Sequence, residues 1–172
     1  MTKFINLHTH QFSNDSNVLE VVNQYPWEFD SNIPTYSIGI HPWYIDENRL
    51  VIDLKTIEEK LKETACLALG ECGLDKRIEI PLETQIQVFH QQLDLVETTE
   101  KPIILHCVAA FQEVISIKKD RNIQNPMIVH GFSKNEQVAQ SLLSNGFYLS
   151  FGKYLMRNPD LEKVFTFAPE NK

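Results

Sequence analysis

Five short apolar runs that read as buried strands each lead into a histidine or a glutamate. The runs cover residues 3–7, 35–40, 66–70, 102–105 and 126–129. The side chains that follow them are His8 and His10, His41, Glu71, His106 and His130. In a sheet of parallel strands the carboxyl ends meet at one edge, where a (β/α) barrel gathers distant residues into one cleft. The pattern therefore predicts one site built from all five runs.

Helical patterns alternate with these strands. Leu54, Ile57 and Leu61 share one face of a predicted helix over 54–64. Further helices are predicted over 82–99, 110–119 and 134–145, the last with Ser133 and Glu136 as its capping box, and a sixth strand begins at Phe147. The short apolar segment around Leu19, Val21 and Val22 is not counted as a strand. Strands that alternate with helices are typical of a parallel sheet, so the predicted fold is a TIM-barrel-like (β/α) α/β fold.

The length bears on how much of that fold is present. A complete (β/α)8 barrel takes about 250 residues, whereas the chain has 172 residues and no linker rich in proline, glycine or serine. We expect a single domain over residues 1–172 that is an incomplete barrel of about six βα units, with the last strands missing. Open sheet edges expose unpaired backbone, which predicts a homo-oligomer formed through those edges.

Charge and cysteine content exclude several classes of protein. A net charge of -7 argues against a broad basic surface for duplex nucleic acid. The three cysteines are odd in number and lie in or next to apolar runs, so we expect no disulfide framework and a cytoplasmic location. No apolar stretch approaches the roughly 20 residues of a membrane span, and the first residues do not read as an export leader, so no membrane association is expected.

The residues that follow the strands point to a metal site. His8 and His10 are two apart on a strand, so both imidazoles point to the same face and can meet one ion. Glu71 follows an apolar strand, where an unpaired carboxylate would be costly to bury. Taken singly, each residue also has a simpler reading, as a solvated strand end or a hydrogen-bonded core histidine. Together with His106 and His130 they favour a site for divalent ions, and Zn, Mn, Mg, Ni and Co remain open.

Two further histidines are assigned less directly. His90 lies within the predicted helix over 82–99 and is interpreted as surface or helix packing. His41 precedes Pro42 and Trp43, so it either lines the cleft or packs under the loop. Some aromatic side chains near the predicted cleft could stack on bases of single-stranded DNA or merely pack at its rim: Trp43, Tyr44, Phe132 and Phe151.

Six motifs in order resemble those of TatD-type metal-dependent hydrolases over essentially the whole chain. They are NLHTH at 6–10, GIHP at 39–42, GECGLD at 70–75, the Q-x-x-x-F-x-x-Q-L spacing from Gln85, PIILH at 102–106 and HGFS at 130–133. The resemblance implies a TIM-barrel enzyme that hydrolyses phosphodiesters with water activated by two divalent metal ions, commonly a 3′ to 5′ deoxyribonuclease acting on DNA 3′ ends. By matching positions, His8 and His10 hold one ion, His106 and His130 hold the other, and Glu71 bridges them as the catalytic carboxylate.

Three positions depart from the family pattern. Asn6 stands where the family usually has aspartate, and Val108 stands where it often has an arginine that would contact phosphate. The metal-binding aspartate of a later strand has no counterpart here, since Asp75 follows Glu71 too closely to replace it. The chain thus resembles a C-terminally truncated member. Two alternatives stay open: a catalytically impaired remnant that binds metal or partners, and a metal-dependent deacylase or amide hydrolase.

Overall fold

Seven parallel strands form one sheet in their order along the chain. The computed structural model describes residues 4–169, so Lys3 of the predicted first strand lies outside the described residues. The strands are β1 Phe4–Thr9, β2 Val18–Gln24, β3 Tyr36–Ile38, β4 Cys66–Asp75, β5 Ile103–Val108, β6 Met127–Val129 and β7 Phe147–Leu149. All six neighbouring pairs are parallel.

Five α-helices follow the later strands within the described part of the chain. They are α1 Leu50–Leu61, α2 Leu82–Val96, α3 Phe111–Asp120, α4 Glu136–Ser144 and α5 Pro159–Phe167. Short 3-10 turns occur at Pro26–Glu28, Pro42–Tyr44 and Leu155–Arg157. The sheet and helices make an incomplete TIM-barrel-like half-barrel, as the sequence predicts. None of the helices in residues 4–169 is long and apolar enough to cross a membrane.

Strand β2 is the element that the sequence pattern missed, so the sheet has seven strands rather than six. Its residues include the buried polar side chains Glu20, Asn23 and Gln24, which interrupt the apolar run. Each has a hydrogen-bond partner that makes burial tolerable: Glu20 accepts from the Ser13 backbone, Asn23 from the Glu71 backbone, and Gln24 bonds the backbone of Asp30. Buried polar residues break the apolar pattern, so this strand cannot be recognised from periodicity.

Strand β4 is longer than predicted and continues past Glu71 to Asp75. Gly70 and Gly73 have φ values of 131° and 135°, and a Cβ there would lie 2.4 Å from the Ile104 carbonyl oxygen and 2.2 Å from that of His106. Only glycine allows the backbone of β4 to approach β5 so closely. The register shifts between Leu69 and Cys72. Glu71 therefore lies inside an irregular strand rather than after a strand that ends at Gly70.

The predicted helix boundaries also need correction. Helix α1 begins at Leu50 rather than 54, and α2 ends at Val96 rather than 99. Helix α4 is capped by Asn135, whose side chain accepts a hydrogen bond from the Val138 backbone N–H, so Ser133 is not its cap. The capping-box spacing places the start of the helix two residues too early, because serine and asparagine are both good caps.

The core fills the space between the sheet and its helices, where the largest fully buried side chains include Tyr36, Phe89 and Phe147. Strands β1 and β7 are the outer strands of the sheet. On β1, Phe4 and Ile5 are 66% and 69% exposed. The sheet edge that the sequence predicts to be open is thus an exposed apolar strand.

Candidate metal centre

The site residues predicted from sequence converge on one cleft of about 580 Å³. Six chemically relevant side chains line it, from five different strands or the residues just after them: His8, His10, His41, Glu71, His106 and His130. His8, Glu71 and His106 lie within strands, whereas His41 and His130 follow them. Residues from all five runs of the sequence pattern therefore line one cleft.

Glu71 lies at the centre of this cleft and is 5% exposed. Its Oε2 is 3.3 Å from Nε2 of His8, and its Oε1 is 3.2 Å from Nδ1 of His106 and 4.0 Å from Nε2 of His41. The backbone N–H of Glu71 donates to Oδ1 of Asn23 at 2.7 Å, which fixes the strand beneath the carboxylate. One carboxylate thus faces histidines on both of its oxygens.

Two groups of donor atoms share this carboxylate. One consists of His8, Glu71 and His130, the other of His41, Glu71 and His106, and within each group the donor atoms lie within 4.8 Å of one another. Tetrahedral coordination at bond lengths of about 2.1 Å separates ligand atoms by roughly 3.4 Å. The buried Nδ1 atoms of His8 and His130 have no hydrogen-bond partner. This donor set therefore fits divalent metal ions.

The grouping differs in detail from the sequence-based assignment. His10 lies with its Nε2 3.3 Å from Nε2 of His8, but its residue is exposed and belongs to neither group. His41, left open between cleft and packing, lies in the second group and is 6% exposed. His90 lies on α2 against Arg121, whose Nη1 is 3.0 Å from His90 Nδ1, so its prediction as helix packing is confirmed.

Burial lowers the pKa of His8, His41 and His130. It lowers the pKa of His8 and of His41 to about 4, against the partly compensating charge of Glu71. These imidazoles are therefore neutral at neutral pH, which is the form that binds metal ions.

For the carboxylate of Glu71, the effect of the neighbouring histidines on the pKa outweighs the effect of burial. Burial by itself raises the pKa of Glu71, but the hydrogen bond from His106 and the nearby His8 and His41 outweigh it and lower that pKa to about 2. For His106, burial lowers the pKa, yet the hydrogen bonds to Glu71 and Asp75 leave it raised above its usual value. The cleft thus holds an ionised carboxylate among imidazoles, with negative charge where a cation would bind.

Several polar residues that support the site were missed or not assigned a role by sequence reasoning. The side-chain amide of Gln92 on α2 bonds both the N–H and the C=O of Ile40, and that of Gln85 does the same for Asp75. Both glutamines are 1% exposed. The paired glutamines within an amphipathic helix were the available signal, because buried amides need partners.

Aromatic and basic side chains also line the cleft. The aromatic ones are Tyr25, Trp43 and Tyr44, with Trp43 53% and Tyr44 43% exposed, and the basic ones are Lys134 and Lys153. Of the other aromatic candidates, Phe132 is buried, whereas half-buried Phe151 packs edge-on between Phe132 and Phe165. Only Trp43 and Tyr44 among the four candidates thus offer exposed ring surface at the cleft.

Comparison with known proteins places this geometry in a family. Residues 1–172 match the family described as "TatD related DNase". The chain belongs to the TatD-related family. A solved structure of similar fold is YjjV, a TatD homologue from Escherichia coli, with a TM-score of 0.80 and 20% identity; the match covers 98% of this chain and 76% of that one. The predicted family and fold are therefore confirmed.

Curated relatives of the TatD-related chain carry general names. An "Uncharacterized metal-dependent hydrolase" of Buchnera aphidicola is 33% identical over 67% of this chain and 43% of its own length. YabD of Bacillus subtilis, also named an uncharacterized metal-dependent hydrolase, is 31% identical over 78% of this chain and 51% of its own length. A "Putative deoxyribonuclease TATDN1 homolog" of Vairimorpha ceranae is 28% identical over 86% of this chain and 51% of its own length. The chain thus spans about half the length of the curated relatives it matches.

Proposed function

We propose that this chain is a metal-dependent hydrolase of phosphodiester bonds that removes nucleotides from DNA 3′ ends. The observation that carries the proposal is the sharing of Glu71 by two groups of imidazole donors. Two neighbouring ion sites joined by one carboxylate are the arrangement of two-metal hydrolysis of phosphates. Membership of the TatD-related family and the deoxyribonuclease name of one relative support the same reaction.

His8, Glu71 and His130 would hold one ion, and His41, Glu71 and His106 the other. His10, next to His8, would join the first ion as the family resemblance implies. Imidazole nitrogens outnumber carboxylates in both groups, which suits Zn, Mn, Ni or Co better than Mg, since Mg prefers oxygen ligands. Divalent ions bound there would supply a water acidic enough to attack at neutral pH and stabilise negative charge on phosphoryl oxygens.

The residues of the chain contribute the rest. Glu71, with its lowered pKa, stays ionised as the charged centre that both ion sites require. The exposed rings of Trp43 and Tyr44 offer stacking surfaces, and base stacking on aromatic side chains is tolerant of sequence. Lys134 and Lys153 line the same cleft and can attract phosphates although the chain is acidic overall. A substrate that places a flat base on these rings and a negative phosphate near these lysines would be a nucleotide at a DNA end.

The test combines metal analysis with DNA cleavage. Protein purified without chelator is analysed by mass spectrometry and incubated with a 5′-labelled, 3′-recessed oligonucleotide and Mn or Mg. We expect close to two ions per chain and a ladder of products shortened from the 3′ end. Glu71→Ala should lose both. Glu113→Ala, which removes a carboxylate on α3 that pairs with Lys76, should lose neither. Absence of both ions and cleavage from the wild-type protein would refute the proposal.

A second reaction is favoured by one observation. Val108 lines the cleft at the position where the family resemblance suggests an arginine for phosphate. An apolar side chain there suits an acyl group, so a deacylase or amide hydrolase would use the same ion pair on a carbonyl. Metal-loaded protein that cleaves N-acyl substrates but leaves DNA intact would identify this reaction. Metal binding without turnover of either substrate class would instead identify a catalytically impaired remnant.

Two further features of the proposal concern the chain as a whole. We propose a single hydrolase domain over residues 1–172, because one sheet and one main core run through the described part of the chain. We propose a cytoplasmic location, supported by Cys66, Cys72 and Cys107, which are free and buried.

A further inference from the structure

Asp75, at the end of β4, is bound by donors on both carboxylate oxygens and is 3% exposed. Its Oδ2 accepts from the indole Nε1–H of Trp43 at 2.8 Å and lies 3.1 Å from Nε2 of His106. Its Oδ1 accepts from the backbone N–H of Arg77 at 2.8 Å. Asp75 belongs to neither of the two donor groups found in residues 4–169. Its carboxylate therefore faces a member of the site without facing the ion positions.

The backbone of Asp75 is fixed independently of His106. The Asp75 N–H donates to Oε1 of Gln85 at 2.8 Å, and Nε2 of Gln85 donates to the Asp75 carbonyl at 3.0 Å and to the Ile80 carbonyl at 2.7 Å. These bonds tie the end of β4 to helix α2. A carboxylate held this way can impose an orientation on its neighbour rather than adapt to it.

His106 has one nitrogen for each carboxylate. Nε2 faces Asp75, and Nδ1 faces Oε1 of Glu71 at 3.2 Å. An ionised carboxylate only accepts hydrogen bonds, so Asp75 favours the imidazole form that carries a proton on Nε2. When His106 is neutral, that form leaves the lone pair on Nδ1, on the side of Glu71 and His41. Histidine ligands of metal ions commonly donate their second N–H to such a carboxylate.

We propose that Asp75 is a positioning residue, whose carboxylate holds His106 with Nε2 protonated and Nδ1 directed at the ion position between Glu71 and His41. Trp43 and Gln85 hold Asp75 in turn. This inference rests on the proposed function, because it requires that His106 binds an ion through Nδ1. It gives the aspartate of the GECGLD motif a role that differs from that of the metal-binding aspartate expected in a later strand.

The test measures zinc affinity without any nucleic acid, by competition with a chromogenic chelator. We expect Asp75→Ala to bind zinc about 10- to 100-fold more weakly, the range typical of a lost outer-shell partner. Asp75→Asn keeps an oxygen acceptor for Nε2–H and should recover most of that loss. Asp53→Ala is the matched control, because Asp53 is also 3% exposed but its carboxylate is bound by Arg49. Its zinc affinity should stay within about twofold of wild type.

A second readout separates positioning from general loss of structure. In zinc-loaded, ¹⁵N-labelled wild-type protein, we expect His106 to show a proton on Nε2 and none on Nδ1, with slow exchange of the Nε2 proton. Asp75→Ala should accelerate that exchange while circular dichroism stays native. If Asp75→Ala does not fold, Trp43→Phe removes one donor to Asp75 and keeps an aromatic ring, and it should accelerate the same exchange to a smaller extent. Unchanged exchange in that variant would count against the positioning role.

The outcomes are distinguishable. Zinc affinity of Asp75→Ala equal to wild type, or equal losses in Asp75→Ala and Asp53→Ala, would overturn the positioning role and leave the proposed function standing. A proton on Nδ1 of His106 in the zinc-loaded protein would overturn it as well. Wild-type protein that binds no divalent ion would overturn both proposals together.

Discussion

The imidazole rings of His8 and His130 lie with their centroids 4.0 Å apart, although four strands separate β1 from β6 in the sheet. Contact between strands so distant in the sheet requires that the sheet curl around its own carboxyl edge. The curvature of the half-barrel, rather than any single loop, thus assembles the first donor group.

Because both rings belong to that group, we expect His8→Ala and His130→Ala each to weaken binding of divalent ions. The loss should exceed the 10- to 100-fold that removal of an outer-shell partner typically costs, since a direct ligand is lost. Isothermal titration with zinc measures the effect. His90→Ala is the control, because His90 packs on α2 against Arg121 outside the cleft. Equal affinities for His8→Ala and His90→Ala would argue against the first ion site.

Ion binding should stabilise the fold, because the donor atoms come from strands that are distant in the chain. A ligand at about 100 times its dissociation constant contributes about 2.7 kcal/mol, which corresponds to an increase in Tm of about 5–10 °C for a chain of this size. Calorimetry with and without zinc, and again after chelation, measures this difference. Glu71→Ala should show little increase, and an equal increase in that variant would mean that the ions bind elsewhere.

Gly70→Ala should destabilise the protein by about 3 kcal/mol or more, because the new Cβ would collide with the Ile104 carbonyl at a φ of 131°. Denaturant unfolding measures the free energy. Gly152→Ala is the matched control, since a Cβ at Gly152 would meet no atom within 4 Å. The control should change stability by no more than about 0.5 kcal/mol. Similar values for the two variants would contradict the tight approach of β4 to β5.

The three thiols should be unreactive in the native protein. Burial raises the pKa of Cys66 to about 11, that of Cys107 to about 12, and that of Cys72 above its usual range. At pH 8 a thiol of pKa 11 has roughly two hundred-fold less thiolate than one of ordinary pKa near 8.5. Reaction with a disulfide reagent should therefore be slow until denaturant is added. Fast labelling of the native protein would contradict this burial.

The raised pKa values of the thiols predict that the free energy of unfolding decreases at alkaline pH. Each thiol has a folded-state pKa above its unfolded value, so its neutral form stabilises the fold below pH about 8.5. For Cys66 that contribution is lost as the pH rises towards 11. Denaturant unfolding of wild type and Cys66→Ala between pH 8 and 10.5 should show a steeper decline for wild type. Parallel declines would exclude Cys66 as the source.

The exposed edge of β1 predicts self-association. Its outer backbone has no neighbouring strand within the described residues, and Ile5 is 69% exposed. Light scattering should detect oligomers whose fraction rises with protein concentration. Ile5→Lys should reduce that fraction, because an edge lysine opposes strand addition. Val51→Lys, at an 80% exposed position on α1, should leave it unchanged. A monomer at all concentrations would refute the prediction.

Much of the architecture could be predicted from sequence, because strands with continuous apolar runs have a clear pattern. The runs before His41, His106 and His130 became β3, β5 and β6, and the alternation with helices gave the parallel sheet. Strand β2 could not be predicted, because buried polar side chains interrupt its apolar run and Asn23 meets the Glu71 backbone only in the fold. Periodicity reports burial of apolar side chains and says little about buried polar ones.

The site, too, could be predicted from sequence only in part. Placing Glu71 and four histidines in one cleft needed only the rule that parallel strand ends meet. Which histidines lie on the same side of Glu71 depends on the curvature of the sheet and on the irregular backbone of β4 at Gly70 and Gly73. Hence His41 rather than His10 lies in a donor group, and Asp75 touches His106. Neither relation has a signature in the spacing of residues.

The ladder between β3 and β4 ends at Ile38 and Leu69, although Gly39 still lies close against Gly70. Side-chain amides then take over the role of a neighbouring backbone: Asn23 for Glu71, Gln92 for Ile40 and Gln85 for Asp75. These amides therefore pair peptide groups that the strand ladder leaves without a backbone partner. Two of the three amides, Gln85 and Gln92, belong to α2. Separation of that helix from the sheet would therefore loosen the backbone that carries the site residues. We expect the helix and the metal site to unfold as one cooperative unit.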